Sequence, residues 1–122
     1  MQNKTIVVIE DNELNMKLVR GLLSMGNYDI HEAGDAESGI ELARQHLPDL
    51  ILMDIQLPGM DGLTATRLMK EASVFDDIPI VALTSYAMDG DEEKATESGC
   101  SGYISKPIDT RSFLETIARY LQ

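Results

Sequence analysis

Short apolar runs alternate with segments of helical periodicity along this chain. The apolar and β-branched runs predict buried strands at about 5–9, 28–33, 50–53, 80–83 and 102–105. Apolar residues that recur every three or four positions predict helices at about 13–25, 36–47, 62–72 and 110–121, and a mostly acidic segment at about 89–98 is also predicted to be helical. Such alternation indicates right-handed βαβ units, and hence an α/β fold in which a parallel sheet has helices on both faces.

The predicted helices differ in their apolar anchors. The residues that reveal the first helix are Leu14, Leu18, Leu22 and Met25. Asp35 is a good N-cap for the second helix, which ends before Pro48. The residues expected to face inward from it are Ile40, Ala43 and Leu47. The fourth helix, at 89–98, is mostly acidic and has little apolar anchor beyond Met88 and Ala95, so we expect it to shift most easily.

Length, composition and charge limit the classes of protein to which this chain could belong. The chain has 122 residues, 43% of them hydrophobic, which predicts one domain over residues 1–122. No apolar run reaches the ~18 residues of a membrane span, and the first residues do not form a signal peptide. Cys100 is the single cysteine, which favours a reduced, cytoplasmic setting. The net charge of −11 argues against nucleic acid or an anionic membrane as a direct partner.

Polar residues follow four of the predicted strands directly. They are Glu10 and Asp11 after the first strand, Asp54 after the third, Thr84 after the fourth and Lys106 after the fifth. In a parallel sheet the carboxyl ends of the strands lie along one edge, which is where such sheets bind ligands. We therefore expect three carboxylates, a hydroxyl and an ammonium group to converge there.

The chemistry of this set points to phosphoryl transfer. Three carboxylates repel one another, and a cluster of oxygen ligands suits a hard divalent cation such as Mg²⁺. Lys106 adds a positive charge suited to phosphate oxygens. A carboxylate can itself accept a phosphoryl group and form an acyl phosphate. The set is therefore interpreted as a phosphoaspartate site with Asp54 as the nucleophile.

Four stretches, VVIEDN, PDLILMDIQLPGMDG, IPIVALTSYA and YISKP, together resemble a response-regulator receiver domain of two-component signalling. Their order and spacing cover essentially the whole chain. The resemblance implies the flavodoxin-like (βα)5 fold, a doubly wound five-stranded sheet of order 2-1-3-4-5. More narrowly, the chain resembles single-domain regulators of cell-cycle phosphorelays and receivers attached to hybrid histidine kinases. Implied partners are a histidine kinase or histidine phosphotransferase and a downstream protein target.

The resemblance also implies roles around the metal. Asp11 would bind Mg²⁺ directly and Glu10 largely through water. Asp54 would be the phosphoacceptor and a metal ligand, and the backbone carbonyl of Gln56 would complete the metal sphere.

A second group of roles concerns the response to phosphorylation. Thr84 and Lys106 would contact the phosphoryl oxygens, and Tyr103 would turn inward when Thr84 moves. Gln56 and Tyr86 occupy positions that tune the lifetime of the phosphoryl group in this family. The peptide before Pro107 matches one that is usually cis.

Two other classes of protein use similar parts. Aspartate-nucleophile phosphatases carry D-x-D-x-T or D-x-D-x-V after the first strand, whereas this strand is followed by EDNE. Dinucleotide-binding modules carry G-x-G-x-x-G there, which this chain lacks. We therefore expect a signalling switch whose own chemistry is confined to autocatalytic phosphotransfer and autodephosphorylation. The sequence leaves open whether it acts as a single domain or within a hybrid kinase.

Overall fold

The computed structural model describes residues 3–84 and 91–121. Within them the strands are β1 Thr5–Ile9, β2 Asp29–Ala33, β3 Leu50–Asp54, β4 Ile80–Thr84 and β5 Gly102–Ser105. The helices are α1 Glu13–Met25, α2 Ala36–His46, α3 Gly62–Glu71, α4 Asp91–Ser98 and α5 Phe113–Tyr120, with a short 3-10 helix at Ser73–Phe75. Nowhere in the described ranges is a helix both long and apolar enough to cross a membrane.

All strand pairs in the sheet are parallel, and the strand order is β2-β1-β3-β4-β5. Helices α1 and α5 cover one face, where their apolar side chains form a buried cluster with Ile6 and Val8. Helices α2, α3 and α4 cover the other face and pack against Val7 and Ile9. The alternation of neighbouring residues between two covered faces explains why β1 is a continuous apolar run. The predicted fold class and strand order are confirmed.

Side-chain caps begin three of the helices. Asn12, Asp35 and Asp61 precede α1, α2 and α3, and each accepts a hydrogen bond from the backbone N–H three residues later, at 2.8–3.0 Å. This contact satisfies a helix N–H that has no partner within the helix. The predicted cap at Asp35 is therefore confirmed.

Two central strands are one residue longer than the sequence predicted. We expected β3 to end at Met53, but Asp54 pairs with Leu83 in the ladder. The reason is that the next N–H, of Ile55, still donates to the Leu83 carbonyl at 3.1 Å. Strand β4 likewise continues to Thr84. The carboxylate of Asp54 is therefore held by a rigid strand and not by a loop.

Three of the four periodic residues of α1 do not face the sheet, whereas the fourth, Leu22, is half-buried and packs against the core. Leu14, Leu18 and Met25 are 78%, 38% and 73% exposed, whereas the residues buried from this helix are Met16, Val19 and Leu23. Gly21 lies on the same outward side, with open space around its Cα. The four outward residues are spaced four, three and four apart and form one continuous line, which we call the α1 stripe: Leu14, Leu18, Gly21 and Met25.

One inward residue of α2 was predicted wrongly. Leu47 is 53% exposed and forms the left-handed C-cap of α2, with φ 43°. The helix ends at His46 because Pro48 disfavours helical backbone in the residue before it. The expected weak anchoring of α4 is visible in its described side chains, where only Ala95 and Ser98 are buried. Met88, the other expected anchor, lies outside the described residues.

Gly21 and Gly39, two of the three glycines in the described helices, provide a test of this packing. A Cβ at Gly21 meets no atom within 4 Å, so Gly21→Ala should stabilise the protein by about 0.5–1 kcal/mol through helix propensity. A Cβ at Gly39 would overlap the side chain of Ile9, so Gly39→Ala should lose this gain. Urea denaturation of both variants measures the difference. Equal stabilisation of both would contradict the close packing of α2 on β1.

Candidate functional site

The three predicted carboxylates converge at the carboxyl edge of the sheet. One oxygen each from Glu10, Asp11 and Asp54 lie within 4.8 Å of one another. Glu10 and Asp54 are buried, only 2% and 3% exposed, while Asp11 is exposed. The cluster is therefore closed on the side of the sheet and open to solvent beside Asp11.

Lys106 supplies the positive charge in this cluster. Its Nζ lies 2.9 Å from Glu10 Oε2 and 3.3 Å from Asp54 Oδ1, and the side chain is only 12% exposed. The backbone N–H of Lys106 donates to the Thr84 carbonyl at 2.7 Å, which fixes the residue against the end of β4. The following peptide, Lys106–Pro107, is cis, as the resemblance implied. The ammonium thus contacts one acid that directly follows β1 and one at the end of β3.

The environment of Asp54 favours its neutral form. Burial is the main factor that raises the pKa of Asp54, and the negative charge of Glu10 adds to it. The N–H of Gln56, which donates to Asp54 Oδ1 at 3.0 Å, and the ammonium of Lys106 oppose this shift in pKa. A further cation should therefore bind favourably here, because it would stabilise the ionised carboxylate of Asp54.

The hydrogen bonding of the two Glu10 carboxylate oxygens indicates whether a metal ion fits this site. Oε1 lies near three donors, namely Lys106 Nζ at 3.2 Å, Asn15 Nδ2 at 3.3 Å and the Asn12 N–H at 3.4 Å. Oε2 is buried and lies at ion-pair distance from Lys106 but without the geometry of a hydrogen bond. A buried oxygen with a lone pair to spare, among other carboxylate oxygens, suits a hard divalent cation or a water bound to one.

Of the remaining predicted residues, Gln56 and Thr84 hydrogen-bond to residues of this centre through their backbones. Thr84 is buried at the end of β4, and Tyr103 is half-buried on β5 and packs against the cluster beneath α2, α3 and α4. Tyr86 lies outside the described residues. Gln56 was expected to act through its carbonyl, and its N–H contact to Asp54 was not predicted. The signal was its position two residues after a carboxylate, since Asp side chains often accept from the N–H two residues on.

A groove of about 460 Å³ opens beside the acids, between α1 and the end of β2. Glu10, Asp11 and Glu13 line its near end. Arg20 also lines the groove, and its guanidinium binds both carboxylate oxygens of Glu32. The carboxylate cluster is thus accessible from the side of α1.

Removing the ammonium should expose the cost of burying these acids. Lys106→Ala leaves Glu10 and Asp54 unbalanced, so with EDTA at neutral pH we expect a loss of about 3 kcal/mol in the free energy of unfolding. Loss of the ammonium raises the pKa of Asp54 further. The deficit in unfolding free energy is therefore largest at a pH where native Asp54 is ionised, and it shrinks as the pH falls toward the ordinary Asp pKa of about 3.9.

Arg119→Ala is the matched control for this measurement. Arg119 pairs with Glu115 at 2.8 Å on the surface, and both side chains are 69% exposed. Such a pair contributes only about 0.5 kcal/mol. Urea titrations at several pH values should therefore separate the two variants, and equal losses would mean that the buried ion pair does not stabilise the site.

Known proteins are similar to this chain over nearly its whole length. Residues 6–118 match the response regulator receiver domain family. The polar-differentiation response regulator DivK of Brucella anthropi is 48% identical over 118 residues, which is 97% of this chain and 96% of that protein. DivK of Brucella ovis matches to the same extent, with 48% identity over 118 residues, 97% of this chain and 96% of that protein.

Two solved structures share the architecture. The receiver domain of a sensor histidine kinase from Pseudomonas aeruginosa is 29% identical, with a TM-score of 0.91 over 98% of both chains, and has a magnesium ion coordinated in its active-site cleft. The chemotaxis response regulator CheY4 of Vibrio cholerae is 22% identical, with a TM-score of 0.92 over 98% of this chain and 100% of that one, a likeness of fold alone. This chain therefore belongs to the response regulator receiver domain family of two-component signalling.

Proposed function

We propose that this receiver takes a phosphoryl group on Asp54, with Mg²⁺, from a histidine kinase or histidine phosphotransferase. The observation that carries the proposal is the convergence of Glu10, Asp11 and Asp54 with the ammonium of Lys106 at one solvent-accessible point. The ammonium, together with a divalent cation held by the acids, would offset the negative charge that a phosphoryl group brings to Asp54. The phosphorylated receiver then changes its contacts with a protein target.

The proposed transfer is an in-line displacement at phosphorus. An oxygen of Asp54 forms the new P–O bond while the P–N bond to the donor histidine breaks, and the imidazole nitrogen keeps the electron pair. The N–H of Gln56 and the ammonium of Lys106 hold the Asp54 carboxylate in place. Lys106 would then move its contact to a phosphoryl oxygen. Hydrolysis of the acyl phosphate by water returns Asp54 to its free form and is the only further chemistry that we propose.

Mg²⁺ fits this site through oxygen ligands. Asp11 and Asp54 would hold it directly, Glu10 would hold it through water, and the carbonyl of Gln56 would complete the sphere. When bound, the metal offsets the negative charge that gathers during transfer. The magnesium in the cleft of the Pseudomonas aeruginosa receiver supports the same assignment here. We also expect a cytoplasmic location, on the basis of the sequence.

Asp54→Ala tests the acceptor. Incubated with acetyl phosphate and Mg²⁺, the wild-type protein should gain one phosphoryl group by intact mass, and Asp54→Ala should gain none because the nucleophile is gone. Excess EDTA should abolish labelling of the wild type as well. Labelling of Asp54→Ala to the wild-type level would refute the acceptor, and undiminished labelling in EDTA would refute the metal.

The α1 stripe supports a protein as the phosphodonor. Leu14 lies three residues after Asp11, so a partner seated on the stripe is continuous with the carboxylate cluster. The four-three-four spacing matches the seam of a helix pair, and Gly21 would let the backbone of a second helix approach closely. Exposed leucines in such a line are typical of a binding surface. We therefore place a helix of the histidine-bearing phosphodonor on this stripe.

Leu14→Ala/Leu18→Ala separates docking from chemistry. A loss of about 1 kcal/mol of binding at each leucine would slow transfer from a phosphorylated histidine phosphotransferase of the same genome at least tenfold. Labelling by acetyl phosphate should be unchanged, because that donor needs no docking. Val74→Ala, at an exposed site away from α1, is the control. A double variant that accepts phosphoryl groups normally from the protein donor would exclude the stripe as its docking site.

The response to phosphorylation is proposed to run through β4 and β5. Thr84 pairs with Ser105 and Tyr103 with Ala82, so the side chains of Thr84 and Tyr103 are diagonal neighbours on the same face of the sheet. A phosphoryl group on Asp54 would draw Thr84 toward it and make room for the ring of Tyr103. One charge-assisted hydrogen bond of about 1.5–3 kcal/mol changes an equilibrium roughly ten- to a hundredfold.

Beryllofluoride, which mimics the phosphoryl group, tests this coupling. Adding it with Mg²⁺ should change the amide NMR spectrum most over residues 84–106. Thr84→Ala should still bind the mimic but show a much smaller spectral change at Tyr103, because the variant lacks the hydroxyl that would hydrogen-bond to the phosphoryl group. A response of Thr84→Ala equal to wild type across that segment would contradict the coupling.

A further inference from the structure

The first residue of α3 lies directly against the backbone of Asp54. The N–H of Gly62 donates to the Ile55 carbonyl at 2.9 Å. A Cβ added to Gly62 would overlap the carbonyl oxygen of Asp54 and would lie 2.9 Å from both its carbonyl carbon and the Cα of Ile55. These neighbours are backbone atoms at the end of β3, so they cannot swing away as a flexible side chain would.

The need for glycine at this position is one of space alone. Gly59 and Gly99 are the described glycines with positive φ, and Gly62 is not among them, so any L-residue could adopt its backbone conformation. Alanine also has the higher helix propensity. On local grounds Gly62 is therefore a poor choice for the start of a helix, and the contact with Asp54 is what excludes larger residues.

This contact fixes the start of the loop that contains Gln56. Ile55 is held from two sides, by its N–H to the Leu83 carbonyl at 3.1 Å and by its carbonyl to the N–H of Gly62. Gln56 follows at once, and its N–H donates to Asp54 Oδ1. The position of the Gln56 backbone relative to the Asp54 carboxylate thus depends on how closely α3 approaches.

We propose that Gly62 is a positioning residue for the metal and phosphoryl site. By letting the start of α3 seat against Asp54, it places the N–H of Gln56 on the carboxylate and the Gln56 carbonyl toward the metal position. This inference rests on the proposed function, since it concerns the same cluster. Gly62 itself touches neither metal nor phosphoryl group and acts through Ile55 and Gln56.

Isothermal titration of Gly62→Ala with Mg²⁺ tests the proposal. A methyl group at Gly62 pushes the Asp54–Ile55 backbone away, so the dissociation constant for Mg²⁺ should rise at least tenfold in the folded variant. Gly21→Ala is the matched control, because Gly21 is also a helical glycine and a Cβ there meets nothing within 4 Å, so it should bind Mg²⁺ like wild type. A helix-stabilising effect alone would leave Mg²⁺ affinity unchanged. Wild-type affinity in folded Gly62→Ala would overturn the proposal.

Amide hydrogen exchange of the wild type decides the matter if Gly62→Ala does not fold. Saturating Mg²⁺ should slow exchange at the amides of Gly62 and Gln56 together, at least tenfold, and leave the amide of Gly21 unaffected. Slowing at Gln56 without Gly62 would overturn the proposal. If wild type binds no Mg²⁺ and takes no label from acetyl phosphate, the proposed function fails; if it does both while Gly62→Ala matches it, only the role of Gly62 fails.

Discussion

The ammonium of Lys106 is shared by two buried carboxylates, and the arrangement of the whole site depends on it. Glu10 and Asp54 end two adjacent central strands, where unpaired charges would cost several kcal/mol each. Lys106 reaches both from beyond β5, with its backbone tied to Thr84. The balance is incomplete, since burial still raises the pKa of Asp54. An additional cation therefore has an energetic reason to bind.

Backbone groups set the geometry around these charges. The N–H of Gln56 orients the Asp54 carboxylate, and the loop that holds Gln56 is closed where Gly62 meets Ile55. Backbone positions in a sheet and at a helix start vary little, so the oxygens are held close together before any ligand arrives. Preorganised charge of this kind is the principal means by which proteins assist phosphoryl transfer.

Much of the fold could be predicted from local sequence patterns, and the predictions that failed did so for one reason. The strands, to within one residue, and the cap at Asp35 were predicted correctly because apolar runs and capping residues act over a few positions. The exposure of Leu47 was missed because it depends on where α2 ends relative to the sheet. The stacking of His31 on His46, with ring centroids 3.7 Å apart, was missed because it joins two different elements.

The sequence by itself determined which residues come to the site. Parallel βαβ units bring every strand's carboxyl end to one edge, so the order of Glu10, Asp11, Asp54, Thr84 and Lys106 along the chain was enough to predict their convergence. Only the tertiary structure decided that Lys106 rests on the acids, that Gln56 donates to Asp54, and that Leu14 and Leu18 face outward. These features depend on distances between elements far apart in sequence, and periodicity defines a helix without choosing which of two apolar faces meets the sheet.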